Sequence, residues 1–171
     1  DSGGVQLKRK SAKRWLFEVG LCLGTAAVTA VAMWWFLPLW LAGSYLAVLM
    51  IHEMAHYLTA LRLGMEVDLP VFVPLIIAVF GFTHMKFGND LSKLRKVALA
   101  GPIAGMAAAT ILAVLAYVYA MMPMFWACLW LLAFQIWGAL LGSDGRKYRA
   151  FRRAQRKDAS DAQTDNVAAM V

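Results

Sequence analysis

Four long apolar runs, at 15–37, 41–61, 97–121 and 125–141, divide a chain of 171 residues. At a helical rise of about 1.5 Å per residue, roughly 20 residues span the hydrocarbon core of a bilayer. The runs therefore predict about four membrane-crossing helices, the fourth at the short end of the range. Composition points the same way. Hydrophobic residues make up 61% of the chain and charged residues only 16%, outside the usual balance of a soluble domain. The first run is longer than the apolar core of a cleavable signal peptide, so none is expected.

The stretch 69–85 is apolar too, but Pro70, Pro74 and Gly81 interrupt it. Its Val, Ile and Phe residues favour extended structure. Bare strand edges are not tolerated in lipid, so a short re-entrant or β-hairpin segment packed against protein is predicted between the second and third spans. The fold class expected is an all-α polytopic membrane protein carrying that one extended insertion.

The basic residues orient the spans. Lys8, Arg9, Lys10, Lys13 and Arg14 precede the first. Arg62, Lys86, Lys93, Arg95 and Lys96 lie between the second and third, and the remaining seven, from Arg146 to Lys157, follow the fourth. A four-span arrangement with both termini in the cytoplasm gathers all 17 on one side, and the loops around Pro38 and Pro123 carry none. Trp34, Trp35, Phe36, Trp40, Phe125 and Trp126 form an aromatic girdle at the opposite interface. The net charge of +7 thus belongs to orientation and to anionic lipid head groups, and nucleic acid is excluded as a partner. Cys22 and Cys128 lie in apolar runs without CxxC spacing and read as packing residues.

Within the second run stands His52-Glu53-Met54-Ala55-His56. Ionisable groups at that depth are costly and usually mark function. On a helix, HExxH sets two imidazoles four residues apart on one face, able to bind a single Zn²⁺, with the Glu placed as general base. His52 lies ten residues before Arg62, so roughly 15 Å from the cytoplasmic end of the helix. A third protein ligand is needed. Glu66 is the last Glu in the chain and lies near the mouth of the helix, while Thr59 and Arg62 occupy the Gly and His positions of an extended HExxHxxGxxH motif. Asp68 and Asp90 have basic interfacial surroundings. Asp144, in Gly142-Ser143-Asp144-Gly145-Arg146, follows the fourth span on the same side as His56.

HExxH in a membrane helix, then Ala100-Gly101-Pro102-Ile103-Ala104-Gly105, then an Asp-Gly after the next span, resembles the site-2 protease family of intramembrane zinc metalloproteases. The resemblance covers about 41–150. It implies His52, His56 and Asp144 as zinc ligands and Glu53 as the catalytic base. The family usually shows a run ending Leu-Asp-Gly-Gly, whereas this chain reads Leu140-Leu141-Gly142-Ser143-Asp144-Gly145-Arg146 and lacks the second Gly. The family also tends to carry an Asn before this motif, associated with substrate or the oxyanion. Gln135 is the nearest amide here and is the candidate for that place.

Other polar features have plainer readings. Gly101 and Gly105, followed by Ala107 to Ala109, make a close-packing face. Glu18, one turn after Arg14, makes an end-of-helix ion pair. His84 is interfacial, and 158–171 is a disordered tail. The division expected is a basic cytoplasmic segment 1–14, a membrane-embedded metalloprotease core 15–145, and a basic juxtamembrane segment with its tail, 146–171. The expected function is Zn²⁺-dependent hydrolysis of a peptide bond within or near the transmembrane segment of a membrane-protein substrate. The alternatives are an inactive zinc-binding membrane adaptor and, behind it, an ion or proton transporter. Intact Glu53 argues against the first. The scarcity of ionisable residues on spans one and three argues against the second.

Overall fold

The computed structural model describes residues 11–74, 79–82 and 90–168. His84 and Lys86, the N-terminal residues 1–10, and positions 75–78 and 83–85 of the extended insertion lie outside the described residues. The chain is mostly helical, in the order α1 (Ala12–Trp34), α2 (Leu39–Arg62), β1 (Val71–Pro74), β2 (Val79–Phe82), α3 (Leu91–Val118), α4 (Met122–Leu140) and α5 (Ser143–Ala168).

Local chemistry sets the boundaries. Ser11 caps α1 by accepting from the Arg14 N–H at 3.3 Å. Pro38 stands immediately before α2, where its fixed φ suits entry into a helix. Gly64, at φ 73°, stops α2. The Met65 N–H reaches back to the Ala60 carbonyl and the Gly64 N–H to Leu61, both at 3.0 Å, a Schellman closure that satisfies two otherwise orphaned carbonyls. Asp90 caps α3 through the N–H groups of Ser92 and Lys93. This cap carries α3 six residues upstream of its apolar run, since Leu91–Lys96 is held by the cap rather than by hydrophobicity.

Helix α3 is the centre of the bundle, in contact with α2, α4 and α5. Its buried residues are mostly small, among them Ala98, Gly101, Gly105, Ala108, Ala109 and Ala113, which lets neighbouring backbones approach closely. Val48 of α2, Ala108 and Ala109 of α3 and Leu131 of α4 form one core cluster. A second joins Ala60, Met65 and Val67 to Leu94 and Val97, with Phe151 of α5 packed on it.

β1 and β2 pair antiparallel, with Val71 opposite Phe82 and Val73 opposite Phe80. Helix α1 holds this ribbon from one side. Phe72 is buried with Cys22 and Ala26, and its N–H donates to Thr25 Oγ1 at 3.2 Å. Arg14 bridges Glu18 at 3.1 Å and Asp68 at 3.0 Å, so the end-of-helix pair also reaches the chain entering β1.

Three helical stretches, Ala12–Trp34, Leu91–Val118 and Met122–Lys157, are long and apolar enough to cross a membrane. α2 has the length, but it carries His52, Glu53 and His56, which lower its hydropathy. Large apolar side chains stand exposed along α1 and α4, including Phe17, Val28, Trp130 and Trp137, as lipid-facing surfaces require. The structure differs from the sequence expectation at the C-terminal end, where α5 runs on to Ala168. Ala, Gln, Arg and Lys are good helix formers, and extending an existing helix needs no new nucleus.

Candidate metal centre

Helix α2 presents His52 and His56 one turn apart, and the first turn of α5 presents Asp144. Three donor atoms converge. His52 Nε2 lies 3.2 Å from His56 Nε2 and 3.1 Å from Asp144 Oδ2, and His56 Nε2 lies 3.4 Å from the same oxygen. Bonds of about 2.0–2.1 Å around a tetrahedral zinc separate neighbouring donors by roughly 3.3 Å. The triangle has edges of that length.

The far side of each ring assigns its tautomer. His56 Nδ1 is 2.7 Å from the Val97 carbonyl, which can only accept, so this nitrogen carries the proton. His52 Nδ1 is 2.8 Å from Gln135 Oε1, and with the amide oxygen turned to the ring Nδ1 is again the donor. Neutral rings protonated at Nδ1 expose bare lone pairs at Nε2. Two lone pairs and a carboxylate then face one point, all acceptors. One proton satisfies part of that triangle, whereas a cation satisfies all of it. The donor set, with each imidazole held from behind by an acceptor, fits zinc.

Glycines make the convergence possible. A Cβ on Gly101 would fall into the His56 ring, 2.6 Å from Cδ2 and Cε1, and one on Gly105 would lie 2.7 Å from Gln135 Oε1. The turn between α4 and α5 is equally tight. A Cβ on Gly142 would lie 2.6 Å from the Gly138 carbonyl oxygen, and one on Gly145 would lie 2.8 Å from the Ala139 carbonyl carbon. Arg149 donates to the Leu140 carbonyl, tying α5 back onto the end of α4. This fold-back brings Asp144 beside the histidines.

His52, His56 and Asp144 are the group of His, Cys, Asp and Glu side chains, among the described residues, that can hold a metal ion, with one ligand atom from each lying within 4.8 Å of the others. Glu53 is buried on the same helix. Asp68 is engaged with Arg14 instead, and Glu66 is not in the group. Gln135 is buried and bonded to His52. The Val97 carbonyl was not foreseeable, because a backbone acceptor carries no residue-type signal. The spacing of Gly101 and Gly105 was a visible signal, but only for close packing.

A HExxH helix closed by an aspartate, in a bundle with helices apolar enough for a bilayer, defines a membrane-embedded metalloprotein of the metallopeptidase class. The family model of peptidase family M50 matches residues 41–169, well over half of the chain, and the chain belongs to that family. This is the site-2 protease family, whose members are membrane-embedded zinc metalloproteases. Neither a curated protein nor a solved structure matches the chain. The chain is therefore an integral membrane protein of a zinc-dependent protease family that acts on membrane proteins.

Proposed function

We propose that this chain hydrolyses a peptide bond within or near the transmembrane segment of a membrane-protein substrate. The observation that carries the reading is the acceptor triangle of His52, His56 and Asp144, on a helix that also buries Glu53. In this reading the three residues hold zinc. Zinc, when bound, supplies Lewis-acid chemistry, acidifying water and polarising a peptide carbonyl. Glu53 takes the proton of the attacking water as its oxygen bonds to the scissile carbonyl carbon. It returns that proton to the amine nitrogen as the C–N bond breaks.

A substrate helix has its backbone groups paired internally, so the cleaved segment must unwind to reach the site. The β1–β2 ribbon offers an edge on which an unwound segment can pair as an added strand. On β1 the Phe72 N–H is taken by Thr25 and Pro74 has no N–H, which favours β2 as the receiving strand. β2 is also in contact with α2.

The remaining assignments belong to the same reading. Four helices cross the bilayer, both termini are cytoplasmic, and the centre lies in the cytoplasmic half of the membrane, roughly 15 Å from the end of α2. Segment 1–14 and the basic run within 146–171 flank a protease core at 15–145. The exposed Arg146, Lys147, Arg149, Arg152, Arg153, Arg156 and Lys157 meet anionic lipid head groups, not nucleic acid.

The test is cleavage of co-expressed or co-reconstituted single-span membrane proteins, comparing wild type with Glu53→Gln. The variant keeps its metal ligands and should retain zinc while losing about 10²–10⁴-fold in rate. Near-normal cleavage would remove Glu53 from the mechanism. Zinc binding without cleavage by the wild type would indicate an adaptor, and ion flux without cleavage a transporter.

A further inference from the structure

We propose that Gln135 is a positioning residue for the metal, holding the His52 imidazole in the tautomer that leaves Nε2 available for coordination. The inference rests on the zinc-site reading above. The family resemblance implied a different place for this amide, in contact with substrate or the oxyanion. Its surroundings point to the histidine.

Gln135 sits on α4 with only 9% of its surface exposed, and its Oε1 lies 2.8 Å from His52 Nδ1. A carboxamide oxygen only accepts, so the proton on this contact must be on the imidazole. The opposite orientation would present the NH₂ group to Nδ1, demand a lone pair there, and put the ring proton on Nε2, against the metal. Only one orientation of the amide is therefore compatible with a ligating His52.

Helix α3 keeps the amide in place. A Cβ on Gly105 would come within 2.7 Å of Oε1, 2.8 Å of Cδ and 3.1 Å of Nε2, so the whole carboxamide lies along the bare backbone at that glycine. Clamped between Gly105 and His52, it has little room to turn. An oxyanion donor has to aim an N–H at an open cleft, whereas here the amide is buried and its oxygen is engaged with a ligand.

The two histidines are thus supported differently. His56 donates to the Val97 carbonyl, a backbone group that side-chain substitution cannot remove. His52 relies on a side chain, so its support can be deleted or exchanged. Outer partners of ligating histidines typically contribute 10–100-fold to metal affinity.

The experiment measures zinc affinity of the purified full chain in detergent by competition with a chromophoric chelator, alongside helix content. Gln135→Leu, similar in size but without an acceptor, should bind zinc about 10–100-fold more weakly. Gln135→Glu, which still accepts from Nδ1, should bind as tightly as wild type or more so. Gly105→Ala should weaken zinc binding by displacing the amide, but should cost nothing further in a chain already carrying Gln135→Ala. That cycle also decides the matter if Gln135→Leu does not fold. The proposal is overturned if Gln135→Leu binds zinc like wild type, most pointedly if it loses turnover at saturating zinc, which would return the amide to the substrate. It is overturned as well if Gln135→Glu is as weak as Gln135→Leu, or if the Gly105 and Gln135 effects simply add. Wild type that binds no zinc would overturn the metal-site reading and this inference together, whereas tight wild-type binding unchanged in Gln135→Leu overturns this inference alone.

Discussion

His52 and His56 face each other through their Nε2 atoms at 3.2 Å, while each Nδ1 is bonded to an acceptor behind it. With both imidazoles neutral this opposes two lone pairs, and the Asp144 carboxylate adds a third electron-rich group. The arrangement is prepared for a cation. Zinc removal should therefore destabilise the bundle. Free zinc at roughly 100 times its Kd should stabilise the folded state by about 2.7 kcal/mol over the stripped protein. Thermal unfolding in detergent, with and without a chelator and after zinc is restored, measures this. A midpoint indifferent to zinc would contradict it.

Asp144 is expected to be the third ligand. Asp144→Ala should lower zinc affinity by more than about 100-fold, beyond the range seen for loss of an outer partner. Asp68→Ala and Glu66→Ala should leave zinc unchanged, since Asp68 pairs with Arg14 and neither residue is in the donor group. Metal analysis of the three purified variants decides among the carboxylates. Full occupancy in Asp144→Ala would move the ligand elsewhere.

Gly145 offers a test of how Asp144 is held. The added methyl of Gly145→Ala meets the Ala139 carbonyl, which is backbone and cannot step aside as a flexible side chain would. The first turn of α5 must shift, and Asp144 with it. Zinc affinity should fall by roughly 10-fold or more even though every ligand is intact. Gly138→Ala, four residues before Gly142 and open on its Cβ side, is the control and should bind zinc normally.

The legible part of this site was the part built from helical periodicity. Two histidines at i and i+4 share a face whatever surrounds them, so HExxH could be read without a fold. Asp144 followed from its side of the membrane and from the family resemblance. What holds these ligands was less visible. The Val97 carbonyl depends on which turn of α3 lies against α2, and the Gln135 contact depends on how α4 rotates about its axis. Gly101 and Gly105 announced close packing but not that imidazole and carboxamide are what packs there. The strands at 71–74 and 79–82 were signalled by β-favouring residues on either side of Pro74. The extension of α5 to Ala168 was not, because polar composition speaks against a core without speaking against a helix.

Orientation in the membrane gives the last prediction. With every basic residue in the N-terminal segment, the 62–96 connection and the segment after α4, the positive-inside rule puts all three in the cytoplasm. Ser11, Ser92 and Ser160 are exposed and belong to these three regions. Replaced singly by Cys, in a chain lacking Cys22 and Cys128, each should resist an impermeant thiol reagent in intact cells and react once the membrane is opened. Met122, exposed at the start of α4, should behave in the opposite way, with Met122→Cys labelled from outside. The consequence is mechanistic, because Asp144 lies at the end of α4 that leads into the basic segment. If Ser92→Cys is labelled in intact cells, the metal centre belongs to the opposite leaflet, and substrates are cut from the other side of the membrane.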